Sequence, residues 1–280
     1  MSKVKEILRY VLAIILAIAI IVYVIVNIAS STLLNKNFVL DKLDETAYYT
    51  KIYAYAKENF KNYIQQSGFE ESVLDEIITE EQVKKDTQKV LTNIYNNIDE
   101  EVTAEEMKSK LQENIKKQTQ NMIITTEQQK SIDNFVNDIC NEYLTGIAHF
   151  NFEKELFNIY TKVHKGAEIA NRISLITIVI TIGALIAISL NRIYKSFVFA
   201  GISCVSSGLF FIIVNMFINN KVKIQTLTIL NDAFSFTLRE ILETIMNTIK
   251  TNGTNLLLAG LVLILIPNLI HIIIRSKQED

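Results

Sequence analysis

Apolar residues fall into four long blocks, while the charges crowd into the stretch between the first block and the second. The first block covers about Tyr10 to Ala29, close to the roughly 20 residues a helix needs to cross about 30 Å of hydrocarbon. The others are Ile173 to Leu190, Phe197 to Ile218 and Asn255 to Ile274, and none contains Asp, Glu, Lys or Arg. Each is apolar on all faces and long enough to span, which argues against the core helix of a soluble domain. Lys3, Lys5 and Arg9 could serve as the n-region of a signal peptide. The apolar core is longer than an ordinary h-region, however, and Asn27-Ile28-Ala29 is a poor cleavage site, so an uncleaved signal anchor is expected. The predicted order is a short N-terminus (1–9), spans at 10–30, 172–190, 197–218 and 253–274, polar segments at 31–171 and 219–252, a loop at 191–196 and a tail at 275–280.

Within 31–171 the pattern becomes amphipathic. Tyr49, Tyr53, Ala56, Phe60 and Tyr63 form one stripe on a helix that should stop near Ser67-Gly68. A short helix around Glu70 to Ile78 is expected next. Thr79-Glu-Glu-Gln82 then reads as a capping box ahead of Val83, Thr87, Leu91, Ile94 and Ile98. Thr103-Ala-Glu-Glu106 repeats it before Met107, Leu111, Ile115 and Met122, and Thr126-Glu-Gln-Gln129 before Ile132, Phe135, Ile139, Tyr143, Ile147 and Phe150. Each stripe needs a partner, so a bundle or elongated helical hairpin is predicted. The last helix should run through Leu156, Ile159 and Val163 toward the second span, with Gly146 and Gly166 as kinks. In the second polar segment, Leu227, Leu230, Phe234, Leu238, Leu242, Ile245 and Ile249 lie opposite Arg239, Glu240, Glu243 and Asn247. That predicts an amphipathic helix, either flat on the bilayer surface or packed on a bundle.

Loop charge orients the spans. Lys3, Lys5 and Arg9, then Arg192 and Lys195, then Arg275 and Lys277 mark one side as cytoplasmic, which puts both termini inside and residues 31–171 and 219–252 outside. Lys221, Lys223, Arg239 and Lys250 run against this bias, so it rests on the other loops. Tyr10, Tyr194, Phe197 and Phe199 fit an aromatic belt at the inner interface. The single Pro, the eight Gly and the absence of Trp favour long helices, and the expected class is all-α. A net charge of −2 offers no basic footprint for nucleic acid. Cys140 lies in the polar domain and Cys204 in a span, so no disulfide framework is expected. The bias toward Ile, Asn and Lys is what AT-rich coding produces and suggests a low-GC bacterium.

The residues offer little catalytic chemistry. The three histidines, His149, His164 and His271, sit in no metal-ligand spacing, and there is no Gly-rich phosphate loop or nucleophile elbow. His271 reads as an interfacial histidine, and acids such as Asp41, Asp44 and Glu45 read as a solvated helix face. No catalytic residue, cofactor or metal site is expected. In the third span Ala200, Cys204 and Gly208 recur every four residues, flanked by Ser203 and Ser207. This small-xxx-small face is the predicted helix-packing site, within the bundle or between copies. Asn215 and Asn268 are expected to hydrogen-bond across helices.

One span, a large outer domain and three further spans resemble, in topology, the MacB-type ABC permeases, including the FtsX family. That resemblance implies a cytoplasmic coupling helix between spans two and three, where this chain offers only Asn191 to Ser196. Tyr63-Ile-Gln-Gln-Ser-Gly68 and Thr79-Glu-Glu-Gln-Val-Lys-Lys85 resemble stretches of uncharacterised membrane proteins of clostridia. Cytoplasmic segments this short leave no room for an output domain. The expected function is a non-enzymatic protein of the cell envelope, multi-pass in the plasma membrane, whose outer helical domain is an interaction or assembly module. Its expected partners are the bilayer and either another protein or further copies of itself. The competing expectation is a transport protein, as a permease subunit or an oligomeric pore.

Overall fold

The computed structural model describes residues 2–96, 98, 100, 102–148, 153–221, 224–226 and 232–279. Every element among them is helical: α1 (Ser2–Ser31), α2 (Lys36–Glu45), α3 (Tyr48–Ser67), α4 (Glu80–Asn96), α5 (Glu105–Thr119), α6 (Thr126–Tyr143), α7 (Glu153–Ile188), α8 (Tyr194–Lys221) and α9 (Asp232–Glu279). Short 3₁₀ turns occur at Glu71–Leu74, Leu190–Arg192 and Ile224–Thr226, and a π-helical turn at Leu144–Ala148. Four helices are long and apolar enough to cross a membrane, over Lys3–Ser31, Tyr160–Ile188, Tyr194–Lys221 and Asp232–Ile270.

The chain divides into two compact units. The first comprises residues 1–35, 163–228 and 238–280 and holds most of the apolar helices. Ala13 and Leu16 of α1 pack with Leu185 of α7 and Phe199 of α8. At the same end of this unit Arg9 is buried; its Nε donates to Ser189 Oγ (2.9 Å) and its Nη2 to Ile188 O (3.2 Å). It thereby satisfies a carbonyl that the end of α7 leaves free and sets a positive charge at the negative pole of that helix. Lys195 pairs with Glu6 (3.4 Å), and Tyr10 meets Phe199 edge to face.

The second unit comprises residues 36–162 and 229–237. Its core is built from Ile52, Ala56, Phe60 and Ile64 of α3, Val83 and Leu91 of α4, Met107, Leu111 and Ile115 of α5, and Val136, Ile139 and Tyr143 of α6. A satellite cluster joins Val90, Ile94 and Val102 to Tyr95 and Tyr160. The first turn and a half of α9 belong to this unit: Ala233 enters the core, Thr237 and Thr46 hydroxyls lie 2.8 Å apart, and Lys51 sits over the Phe236 ring at 3.8 Å.

Several expectations need correction. Segments 219–252 and 253–274 were expected as separate helices, yet α9 is continuous from Asp232 to Glu279 with Pro267 inside it. Its buried side carries Ala233, Thr237, Ile241 and Met246, one position from the expected stripe of Phe234, Leu238, Leu242 and Ile245. Phe234, Leu238, Leu242 and Ile245 are only half-buried. Ser67-Gly68 ends α3 as predicted, with Gly68 at φ 78°, a left-handed cap that glycine adopts without a Cβ penalty. The expected helix at Glu70 to Ile78 is a single 3₁₀ turn.

Of the three expected capping boxes, only one forms, and one residue early: Thr125 Oγ1 accepts from Gln128 N and Gln128 Oε1 accepts from Thr125 N. Thr125-Thr126 followed by Gln128-Gln129 offers two registers, and the extended backbone at Thr125 decides between them. Thr79 accepts from Gln82 N (3.1 Å), but the Gln82 amide turns to Asp86, so the reciprocal half is missing. Thr103 makes no cap; Ala104 precedes α5 with no side-chain bond. At the expected kink of Gly146, α6 passes at Tyr143 into a π turn, whereas Gly166 lies inside α7 with no break; the continuation through residues 149–152 lies outside the described residues. His149, Phe150, Lys223, Leu227 and Leu230 lie outside the described residues, as do the side chains of Ile147, Leu156, Ile159, His271, Arg275 and Lys277.

Candidate functional site

The predicted packing residues of the third span are divided between two neighbours. Ser203 Oγ lies 2.8 Å from Ala13 O and Ser207 Oγ 3.0 Å from Ala17 O, so each hydroxyl reaches a carbonyl of α1 while also sharing its proton with one on its own helix. Ala200 packs beside the Ala13, Leu16, Leu185 and Phe199 cluster, and Cys204 is half-buried. Gly208 faces α9 instead: a Cβ there would lie 2.7 Å from Gly253 O and from Leu257 N. Gly201 meets Gly260 in the same way, at 2.7 Å from its carbonyl oxygen. Gly201, Gly253 and Gly260 escaped the sequence reading, although their signal was present as two Gly-x₆-Gly pairs, 201/208 and 253/260. Asn215 crosses to α9, donating to Met246 O at 2.7 Å, whereas Asn268 donates to Ile264 O within its own helix. This region is a packing surface, with its donors engaged and its glycines closed against backbone.

An open surface lies on the helical domain. Past the end of α5 the chain carries Met122, Ile123 and Ile124, which are 66%, 96% and 36% exposed. Met122 therefore leaves the stripe in which the sequence pattern placed it. Beside this tip a groove of about 650 Å³ runs between the end of α3 and α6, lined by Tyr63, Gln66, Phe69, Ile124, Gln128, Ile132, Phe135 and Asp138 among others. Phe69 and Phe135 meet at a tilt of 50°, with ring centroids 5.3 Å apart, to make its floor. The turn that delivers Phe69 is fixed by Gly68 and by Ser67 Oγ, which accepts from Phe69 N.

Asp138 is the one charged side chain among the groove's lining residues. One turn further along α6, Glu142 accepts from Asn59 Nδ2 (2.9 Å) and Tyr63 OH (3.2 Å). Burial, then the Glu142 carboxylate, pushes the Tyr63 phenol above its ordinary range, so it stays a donor. The groove thus has an apolar floor at Phe69, Ile132 and Phe135, a polar rim that includes Gln66, Gln128, Ser131 and Asn134, and a negative charge at one end.

Inside the domain, buried Asp86 accepts from Gln82 Nε2 (2.9 Å) and from the Tyr143 hydroxyl. Burial and this bond raise the Tyr143 pKa. The pair joins α4 to the last residue of α6 and holds the entry to the π turn. His164 lies 3.7 Å from Glu168 one helical turn away. Among the described residues no three His, Cys, Asp or Glu side chains gather as a metal site would require. No family model, curated protein or solved structure matches the chain.

Proposed function

We propose that this chain is a non-enzymatic protein of the cell envelope, in which four membrane-crossing helices anchor a helical domain that stands outside the cytoplasm and serves as an interaction module. The observation that carries this reading is the Met122-Ile123-Ile124 tip beside its open groove. Three adjacent exposed apolar side chains gain nothing from water, and a contiguous apolar patch beside a groove is what a binding surface presents.

The inside position of both termini is supported by Lys3, Lys5, Arg192 and Lys195, which belong to one end of the span bundle, where Glu6 meets Lys195. Transport, as a permease subunit or pore, has less behind it: the span serines and Asn215 donate to backbone carbonyls, and α8 and α9 close to glycine contact. A photo-crosslinking residue placed at Ile123 in living cells tests the module reading, with exposed Lys85 as the reference position. A discrete adduct at 123 that is absent at 85 is expected. No adduct at 123 or at Gln128 would remove the reading.

A further inference from the structure

We infer that the groove takes an amphipathic helix of about three turns from a partner protein, apolar toward Ile124, Ile132 and Phe135 and bearing a lysine or arginine where it meets Asp138. This inference rests on the module reading and supplies its ligand chemistry. The first argument is register. On α6, Gln128, Ser131, Phe135 and Asp138 line the groove at successive intervals of three, four and three residues, with Ile124 just ahead of the helix, which is the seam one helix offers to another lying alongside it. Ten residues of α6 separate Gln128 from Asp138, about 15 Å at 1.5 Å per residue. The matching segment is therefore at least about ten residues long.

The second argument is charge. No lysine or arginine lines the groove, and Asp138 makes no ion pair among the described residues. Glu142, one turn on, takes its bonds from the neutral Asn59 and Tyr63 and leaves that end negative. An occupant with a cation at this end gains on docking; one with an acid is repelled.

The same features weigh against the other occupants. A second copy in an antiparallel two-fold arrangement would set its Ile123-Ile124 tip on the unpaired Asp138, and a parallel one would oppose Asp138 to itself. A lipid surface would not fill a concave groove, and an anionic one would face the carboxylates.

The test uses the full chain in nanodiscs of zwitterionic lipid. The probes are two fluorescein-labelled 18-residue helical peptides of leucine and alanine, one with three lysines at one end and the other with glutamates there, read by fluorescence anisotropy against empty nanodiscs. The lysine peptide should bind at least about fivefold more tightly than the glutamate peptide. Asp138→Asn should weaken the lysine peptide about two- to fivefold, as expected for a partly exposed pair, and leave the glutamate peptide no weaker. Ile123→Ser, at a position that touches no core, should weaken the lysine peptide about tenfold.

Equal binding of the two peptides, indifference to both substitutions, or equal binding to empty nanodiscs would overturn the assignment. Self-association of the protein that Ile123→Ser abolishes would also overturn it, by placing a second copy in the groove. If the peptides fail while the Ile123 crosslink in cells succeeds, the module stands and only this ligand chemistry falls.

Discussion

Replacing Gly208 by alanine puts the packing of the span bundle to a test in which the helix and the interface pull in opposite directions. In an exposed helix interior, Gly→Ala is stabilising by about 1 kcal/mol. At Gly208 the added Cβ would meet Gly253 O and Leu257 N, each at 2.7 Å, against an ordinary contact that begins at 3.4 Å. The neighbours are backbone atoms of α9, which cannot rotate away, so α8 and α9 must separate by the difference, 3.4 − 2.7, about 0.7 Å at that point. Overpacking of this kind costs about 1–3 kcal/mol. The movement also loosens the Gly201–Gly260 contact two turns away.

Less the helix gain of about 1 kcal/mol, the net cost of up to about 2 kcal/mol corresponds, for a chain of this size, to a fall in Tm of up to roughly 8 °C. Gly183→Ala is the matched control, since a Cβ there meets nothing within 4 Å, and it should hold or raise the Tm. The assay is thermal unfolding of the purified protein in one detergent, followed by circular dichroism. Adding Gly201→Ala to Gly208→Ala should cost less than the sum of the two, because the first substitution has already parted the helices. Gly208→Ala equal in effect to Gly183→Ala would refute the close approach of α8 and α9.

Three other expectations follow from buried polar groups. Burial raises the pKa of Tyr48 and Tyr143, and pushes Tyr49 and Tyr95 up to about 12 from the ordinary 10.0. Above pH 10 the unfolded chain therefore sheds phenolic protons that the folded chain keeps, so stability is intact below about 10 and falls as pH rises toward 12, by about 1.4 kcal/mol per pH unit for each such group. Absorbance at the phenolate band should show these tyrosines ionising only with the loss of helical signal; ionisation of all eleven tyrosines with the fold intact would contradict this. Tyr143→Phe leaves the Asp86 carboxylate with one donor fewer and should cost about 1–3 kcal/mol, seen as a lower midpoint in denaturant. Arg9→Met strips Ser189 and Ile188 of their donor at the end of α7 and should lower the Tm of the detergent-solubilised protein by a few degrees, while Lys5→Met, at an exposed position, should not.

What could be read from the sequence was whatever a single helix decides by itself. The four apolar blocks, the stop at Ser67-Gly68 and the core stripes through Met107, Leu111 and Ile115 are properties of one segment, and hydrophobic period is enough to find them. Choices between segments escaped. Thr125 and Thr126 both fit a cap, and backbone geometry selects the first.

The Ala200, Cys204 and Gly208 repeat implied one face, yet the helix serves two partners: serines 203 and 207 go to α1, while glycines 201 and 208 go to α9. The pairing of Gly201 with Gly260 and Gly208 with Gly253 needs two antiparallel helices in register, which no one-segment pattern carries. Met122 kept the period of α5 but lies beyond its last turn, so the exposed tip was hidden inside an apparent core stripe. The lining of the groove combines α3, α6 and the tip, and long-range packing alone brings these together.

The central claim is that the helical domain stands outside the cytoplasm with its apolar tip in solvent. Cys140 would be a poor reporter of this, because it is 7% exposed and burial raises its thiol pKa. Ile123→Cys, in a background carrying Cys140→Ser and Cys204→Ser, places a thiol at the most exposed large apolar position among the domain's described residues. The direct measurement is its labelling by a membrane-impermeant maleimide on intact cells, compared with labelling after lysis. The account predicts labelling on intact cells at a level close to that in lysate. Protection on intact cells, with labelling only after lysis, would put the domain inside and contradict it.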